Sequence, residues 1–112
     1  MYQKHSGSGY LVVIDGIERK TLAYGEKTLM TEFVLRKGAT LPRHAHYHEQ
    51  TGYLLKGRIR LSVGTEEYDV SQGDSWSIPS GVEHSAEIVE DSHAVEVFAP
   101  VREDYLPTKT KI

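Results

Sequence analysis

The 112-residue chain contains no cysteine, which excludes disulfides, thiolate metal ligands and a cysteine nucleophile. Long apolar runs are missing as well. The longest is Tyr10–Ile14, far short of a membrane span or the hydrophobic region of a signal peptide. There is no basic block: 13 basic and 16 acidic residues are scattered along the chain for a formal charge of −3. Nucleic acid and membrane are therefore not expected partners, and a soluble, cytoplasmic protein is. No segment sustains a 3.6-residue apolar period, so helix content should be low. The length allows one core and leaves no room for a separate cofactor domain.

What the chain does have is strand chemistry. Val, Ile, Thr, Tyr, Phe and Trp outnumber Ala, Leu and Met by 34 to 17, which predicts an all-β fold. Strands are expected at Tyr10–Ile14, Thr21–Tyr24, Thr28–Leu35, His44–Leu55, Arg58–Val63, Glu66–Val70, Ser75–Ile78, His84–Val89 and Ala94–Phe98. Glycine-bearing turns separate them, Lys56-Gly57 among them. So many short strands imply a sandwich or barrel, over residues 10–106. Residues 1–9, with Ser6-Gly7-Ser8-Gly9, read as a flexible lead, and 107–112 as a polar tail.

Four of the six histidines fall in two segments. One runs from Gly38 through Arg43-His44-Ala45-His46-Tyr47-His48-Glu49-Gln50 to Gly57; the other is Gly73-Asp74-Ser75-Trp76-Ser77-Ile78-Pro79-Ser80-Gly81-Val82-Glu83-His84. In a regular strand, His44, His46, His48 and Gln50 share one face. They can close on an ion only if another segment supplies further donors across a cavity, and His84, delivered by the Pro79–Gly81 turn, can do so. Neutral imidazole is the commonest metal ligand, and an amide oxygen adds a neutral donor. Parity alone does not choose between His48 and Gln50. By contrast, isolated histidines such as His5 and His93 are ordinary strand or surface residues.

Read as G-x5-H-x-H-x3-Q-x6-G and G-x5-P-x-G-x2-H, the two segments resemble the signature motifs of the cupin superfamily. The resemblance implies a single-domain jelly-roll barrel binding one divalent ion (Zn, Ni, Fe, Mn or Co) through His44, His46, Gln50 and His84, commonly as a homodimer. It selects Gln50 over His48, and a bulge at Tyr47-His48 would reconcile that choice with the pleat. Most cupins carry Glu where this chain has Gln50, so the bound ion would keep its full charge. Where the second motif usually ends in Asn, this chain has Ile88.

Near the C-terminus, Glu96 lies between Val95 and Val97. If the valines face outward, Glu96 faces the cavity with Ala94 and Phe98; if they face inward, it is solvated. Arg102 can bind a substrate carboxylate or pair with Glu103 or Asp104 at the surface. Val-Phe-x-Pro-x-Arg-Glu-Asp-Tyr, together with the first motif, resembles the KdgF-like subgroup of short cupins over roughly residues 28–106. That resemblance implies opening of 4,5-unsaturated uronates to their keto form. Glu96 then falls on the position of a catalytic Asp, one methylene longer, and Phe98 and Arg102 on substrate-contacting positions. The expected function is a metal-dependent enzyme on a small oxygenated acid, with a metal-dependent dioxygenase or a non-catalytic ligand sensor as alternatives.

Overall fold

The computed structural model describes residues 1–107, so most of the expected polar tail lies outside the described residues. Eight strands follow one another: β1 (Leu11–Ile14), β2 (Ile17–Tyr24), β3 (Leu29–Leu35), β4 (Thr40–His44), β5 (Glu49–Val63), β6 (Glu66–Ser71), β7 (Ser75–Ile78) and β8 (His84–Ala99). A single 3-10 turn at Glu103–Tyr105 is the only helical element among the described residues, as the missing 3.6-residue period predicted. No helix of the described residues is long and apolar enough to cross a membrane.

Two long strands organise the barrel. The second half of β8 pairs with β3 and with the first half of β5, while its first half pairs with β4 and with the second half of β5. Strand β7 adds to the first half of β5 and β6 to the second. The pairing therefore divides into two facing sheets that share β5 and β8, both strands crossing from one sheet to the other midway. This is the all-β, single-domain jelly roll expected.

The crossing corrects the expected turn at Lys56-Gly57. Strand β5 runs unbroken through these residues, and its register to β8 shifts between Leu54 and Ile59. The inward residues are Gln50, Gly52 and Leu54 before the shift but Ile59 and Leu61 after it. A bulge exchanges the two faces in this way, and its glycine-containing form places a residue of positive φ at the extra position. Gly57 has φ 98°, and a Cβ there would lie 2.1 Å from Ser92 Oγ and 2.5 Å from the Asp91 carbonyl. Glycine is required by both conformation and space. Likewise, the two strands expected at 84–89 and 94–98 are one continuous strand, and β2 begins at Ile17, four residues earlier than expected.

The core lies between the sheets and is built from Ile17, Leu29, Phe33, Leu54, Ile59, Ile78, Ile88 and Phe98, with further apolar side chains around them. Residues 1–9 contain no strand; the Lys20 ammonium donates to the Ser6 carbonyl at 2.6 Å, holding part of this lead against β2.

Candidate metal centre

The first motif is not one regular strand. β4 ends at His44, the chain bends at Tyr47 and His48, and β5 starts at Glu49. The break falls where a bulge was expected and removes the single shared face. His44, at the end of β4, is the register partner of His84, at the start of β8. His46 comes from the intervening loop, and the Pro79–Gly81 turn is clipped to it by Gly81 N–H donating to the His46 carbonyl at 2.8 Å. Beside the histidines, Arg43 and Glu83 form an ion pair of 2.7 Å that ties the two motifs together at the rim.

The three imidazoles converge. One nitrogen each from His44, His46 and His84 lies within 4.8 Å of the other two. Their Nδ1 atoms sit 2.8, 3.0 and 2.9 Å from the carbonyls of Pro42, His48 and Val82. A carbonyl only accepts, so each Nδ1 carries the proton and each Nε2 is left with its lone pair. The backbone thus fixes the tautomer that ligation requires, as outer partners of ligating histidines do. Burial pushes the His46 imidazole down to about 4, with Arg102 and the neighbouring imidazoles adding to the effect. Burial likewise lowers His84. Both shifts favour the neutral rings of His46 and His84.

Gln50 is buried at the start of β5. Its Nε2 donates to Glu96 Oε2, which orients the amide and leaves Oε1 buried with no partner. His46 Nε2 and His84 Nε2 are also buried without partners. Buried acceptors left unsatisfied are costly. Two imidazole nitrogens and an amide oxygen, all lone-pair donors, are what a divalent cation satisfies, and the residues present fit one. His48 is buried with neither ring nitrogen partnered, stacks on Tyr47 at 3.9 Å and lies outside the three-histidine cluster.

Ala94 and Phe98 are buried, and Glu96, although partly exposed like Val95 and Val97, alternates with that buried pair and accepts hydrogen bonds from Gln50 and Trp76, which places its carboxylate on the interior face of β8. Burial raises its carboxyl above the usual carboxylate range, while hydrogen bonds from Trp76 and Gln50 and the charge of Arg102 pull it back. A cavity of about 50 Å³ reaches between Gln50, Trp76, His84 and Glu96 and the core side chains Phe33 and Ile88. The larger groove of about 450 Å³ lies along β6 and β7 and is lined by none of the histidines.

Arg102 pairs with Asp104, one of the two acidic residues expected as its surface partner. Its Nε donates to the Asp104 carboxylate at 3.1 Å, yet its side chain is only 16% exposed. The guanidinium lies 4.1 Å from the centre of the Tyr105 ring and 5.1 Å from that of Phe98. Phe98 in turn stands 5.8 Å from the His46 ring. Sequence reasoning did not single out Tyr105, Trp76 or Gly52.

A sequence profile described as a cupin domain matches residues 31–100. The chain belongs to the cupin family. This cupin is 28% identical over 94 residues to the pectin degradation protein KdgF of Dickeya dadantii, covering 82% of the chain and 86% of that protein. Its fold superposes on KdgF from a Halomonas species with a TM-score of 0.88 and 28% identity, covering 95% of this chain and 98% of the other. An RmlC-like cupin from Shewanella frigidimarina gives the same TM-score at 25% identity, with 94% and 95% covered.

Proposed function

We propose that this cupin is a metal-dependent isomerase of sugar acids that opens a 4,5-unsaturated uronate ring and tautomerises the product. The observation that carries the reading is the interior Glu96 carboxylate, hydrogen-bonded to Gln50 beside the three-imidazole cluster. His44, His46, Gln50 and His84 would hold one divalent ion, of Zn, Ni, Fe, Mn or Co. All four donors are neutral, so the ion would keep its charge and act as a Lewis acid toward a substrate oxygen.

The protein's own groups carry the rest. Glu96 takes the proton of the anomeric hydroxyl as the bond from the anomeric carbon to the ring oxygen breaks, which leaves an aldehyde and an enolate. Return of that proton from Glu96 to the enolate carbon gives the keto acid, so the sequence is a net isomerisation without a redox partner. A carboxyl raised by burial is suited to both transfers. With its Nε engaged by Asp104, Arg102 offers its two terminal nitrogens as a fork for the substrate carboxylate. Phe98 and Tyr105 keep that guanidinium in place.

The same reading includes a homodimer. Leu11, Val12, Val13 and Ile14 of edge strand β1 are all exposed, an arrangement that invites pairing with another chain.

Turnover is followed as loss of the ultraviolet absorbance of the unsaturated sugar. Glu96→Gln should retain metal and lower kcat by about a hundred- to ten-thousandfold, while Arg102→Ala should chiefly raise KM. A wild-type protein that binds such acids and leaves them unchanged with every metal would overturn the enzyme reading in favour of a binding module. Oxygen uptake with another substrate would replace it by a dioxygenase.

A further inference from the structure

Three strands place Trp76, Gly52 and Glu96 in one row. Gly52 of β5 is the register partner of Trp76 on β7 and of Glu96 on β8. The indole crosses the glycine: a Cβ on Gly52 would lie 2.2 Å from Trp76 Cε2 and 2.4 Å from its Nε1. Unlike Gly57, Gly52 has no positive φ, so its backbone would accept any residue. Close approach of the indole is the reason for glycine here.

The crossing brings Trp76 Nε1 within 3.1 Å of Glu96 Oε2, to which it donates. The same oxygen receives the Gln50 amide. Two donors on Oε2 fix the carboxylate plane, and Oε1, which carries no hydrogen bond among the described residues, is the oxygen left for proton transfer. Because Gln50 donates through Nε2, the same link keeps its amide oxygen turned away from Glu96.

We propose that Trp76, admitted by the missing side chain of Gly52, is a positioning residue that fixes which oxygen of Glu96 reacts and which way the Gln50 amide faces. Its catalytic consequence rests on Glu96 being the proton carrier; the hydrogen-bond chain stands without it.

Trp76 is the sole tryptophan, so 15N-labelled protein gives one indole N–H signal. The experiment compares that signal and the kinetics of unsaturated-uronate turnover in the full-length protein and in Trp76→Phe, Gly52→Ala and Glu96→Gln. Glu96→Gln replaces an anionic acceptor by a neutral one, and the indole proton should move upfield. Gly52→Ala forces the indole back by on the order of an ångström and should do the same. Trp76→Phe keeps a ring and removes the donor; kcat should fall by about ten- to a hundredfold, the range for a lost hydrogen bond to a charged group. KM should stay within about twofold, because substrate binding is untouched. Melting temperatures identify any variant that fails to fold, and Trp76→Phe and Gly52→Ala perturb the link from opposite sides. An indole signal indifferent to Glu96→Gln overturns the proposal, as does a Trp76→Phe protein with wild-type kcat. If the wild-type protein turns over no uronate, the proposed function fails, whereas the indole response still decides the positioning link.

Discussion

Gln50→Glu restores the acid most cupins carry, yet here it should disable the site. Considered alone, an added anionic oxygen strengthens the hold on a dication. The structure supplies the opposing term, because Gln50 donates Nε2 to Glu96 Oε2. The substitution deletes that donor and sets carboxylate against carboxylate. At about 4 Å and an effective dielectric of about 20, two unit charges repel by about 4 kcal/mol. That equals about three pKa units, applied to a Glu96 carboxyl that burial already raises. The metal-free pair should therefore share one proton at neutral pH, as adjacent carboxylates do. Metal binding should release that proton, so zinc affinity should rise steeply with pH; in the loaded site the anionic ligand lowers the charge left on the ion, and Glu96 has lost the Gln50 donor that orients it. We expect kcat to fall at least about a hundredfold. The double variant Gln50→Glu/Glu96→Gln again pairs one amide with one carboxylate; it should recover the stability lost in Gln50→Glu without recovering turnover. Calorimetric zinc titration at several pH values, thermal melts and uronate turnover measure the cycle. A Gln50→Glu protein with wild-type kcat, or a zinc affinity with the wild-type pH dependence, would refute the coupling of residues 50 and 96.

Gly57→Ala should destabilise the fold by at least about 1–3 kcal/mol from backbone strain alone, with the contact to Ser92 and Asp91 adding to it; denaturant melts read this directly. The metal-free Glu96→Gln protein, which lacks the raised Glu96 carboxyl and its opposing proton uptake, should lose stability as pH falls from about 6.5 to about 4, because the unfolded chain takes up protons that His46, held down to about 4, and His84 refuse when folded. Thermal melts across that window should show a falling midpoint, and a flat profile would contradict the neutral, buried state of these rings.

His44, His46 and His84 were legible in the sequence because their spacing to glycine and proline is local and the turns that deliver them are encoded beside them. Gln50 was not separable from His48 by parity, since a regular strand presents both; the bend at Tyr47 and His48, set by tertiary pairing, breaks the pattern. Gly57 looked like a hairpin glycine because turns and bulges ask for the same positive φ. Only the distant partner strand β8 distinguishes them. Alternation around Glu96 is identical whichever face is inside, so its direction had to come from the sheet. The row Trp76–Gly52–Glu96 joins residues from three strands whose mutual register is non-local, and no short motif carries it.

The central claim is that the two motifs build one divalent metal site, and metal titration of chelator-stripped protein tests it most directly. The stripped protein should take up one ion per chain and gain about 2.7 kcal/mol of stability at a hundredfold excess over the dissociation constant, seen as a melting temperature higher by roughly ten degrees or more and abolished by His46→Ala. A stripped protein that takes up no zinc, nickel, iron, manganese or cobalt, and whose melting is the same in His46→Ala, would contradict it.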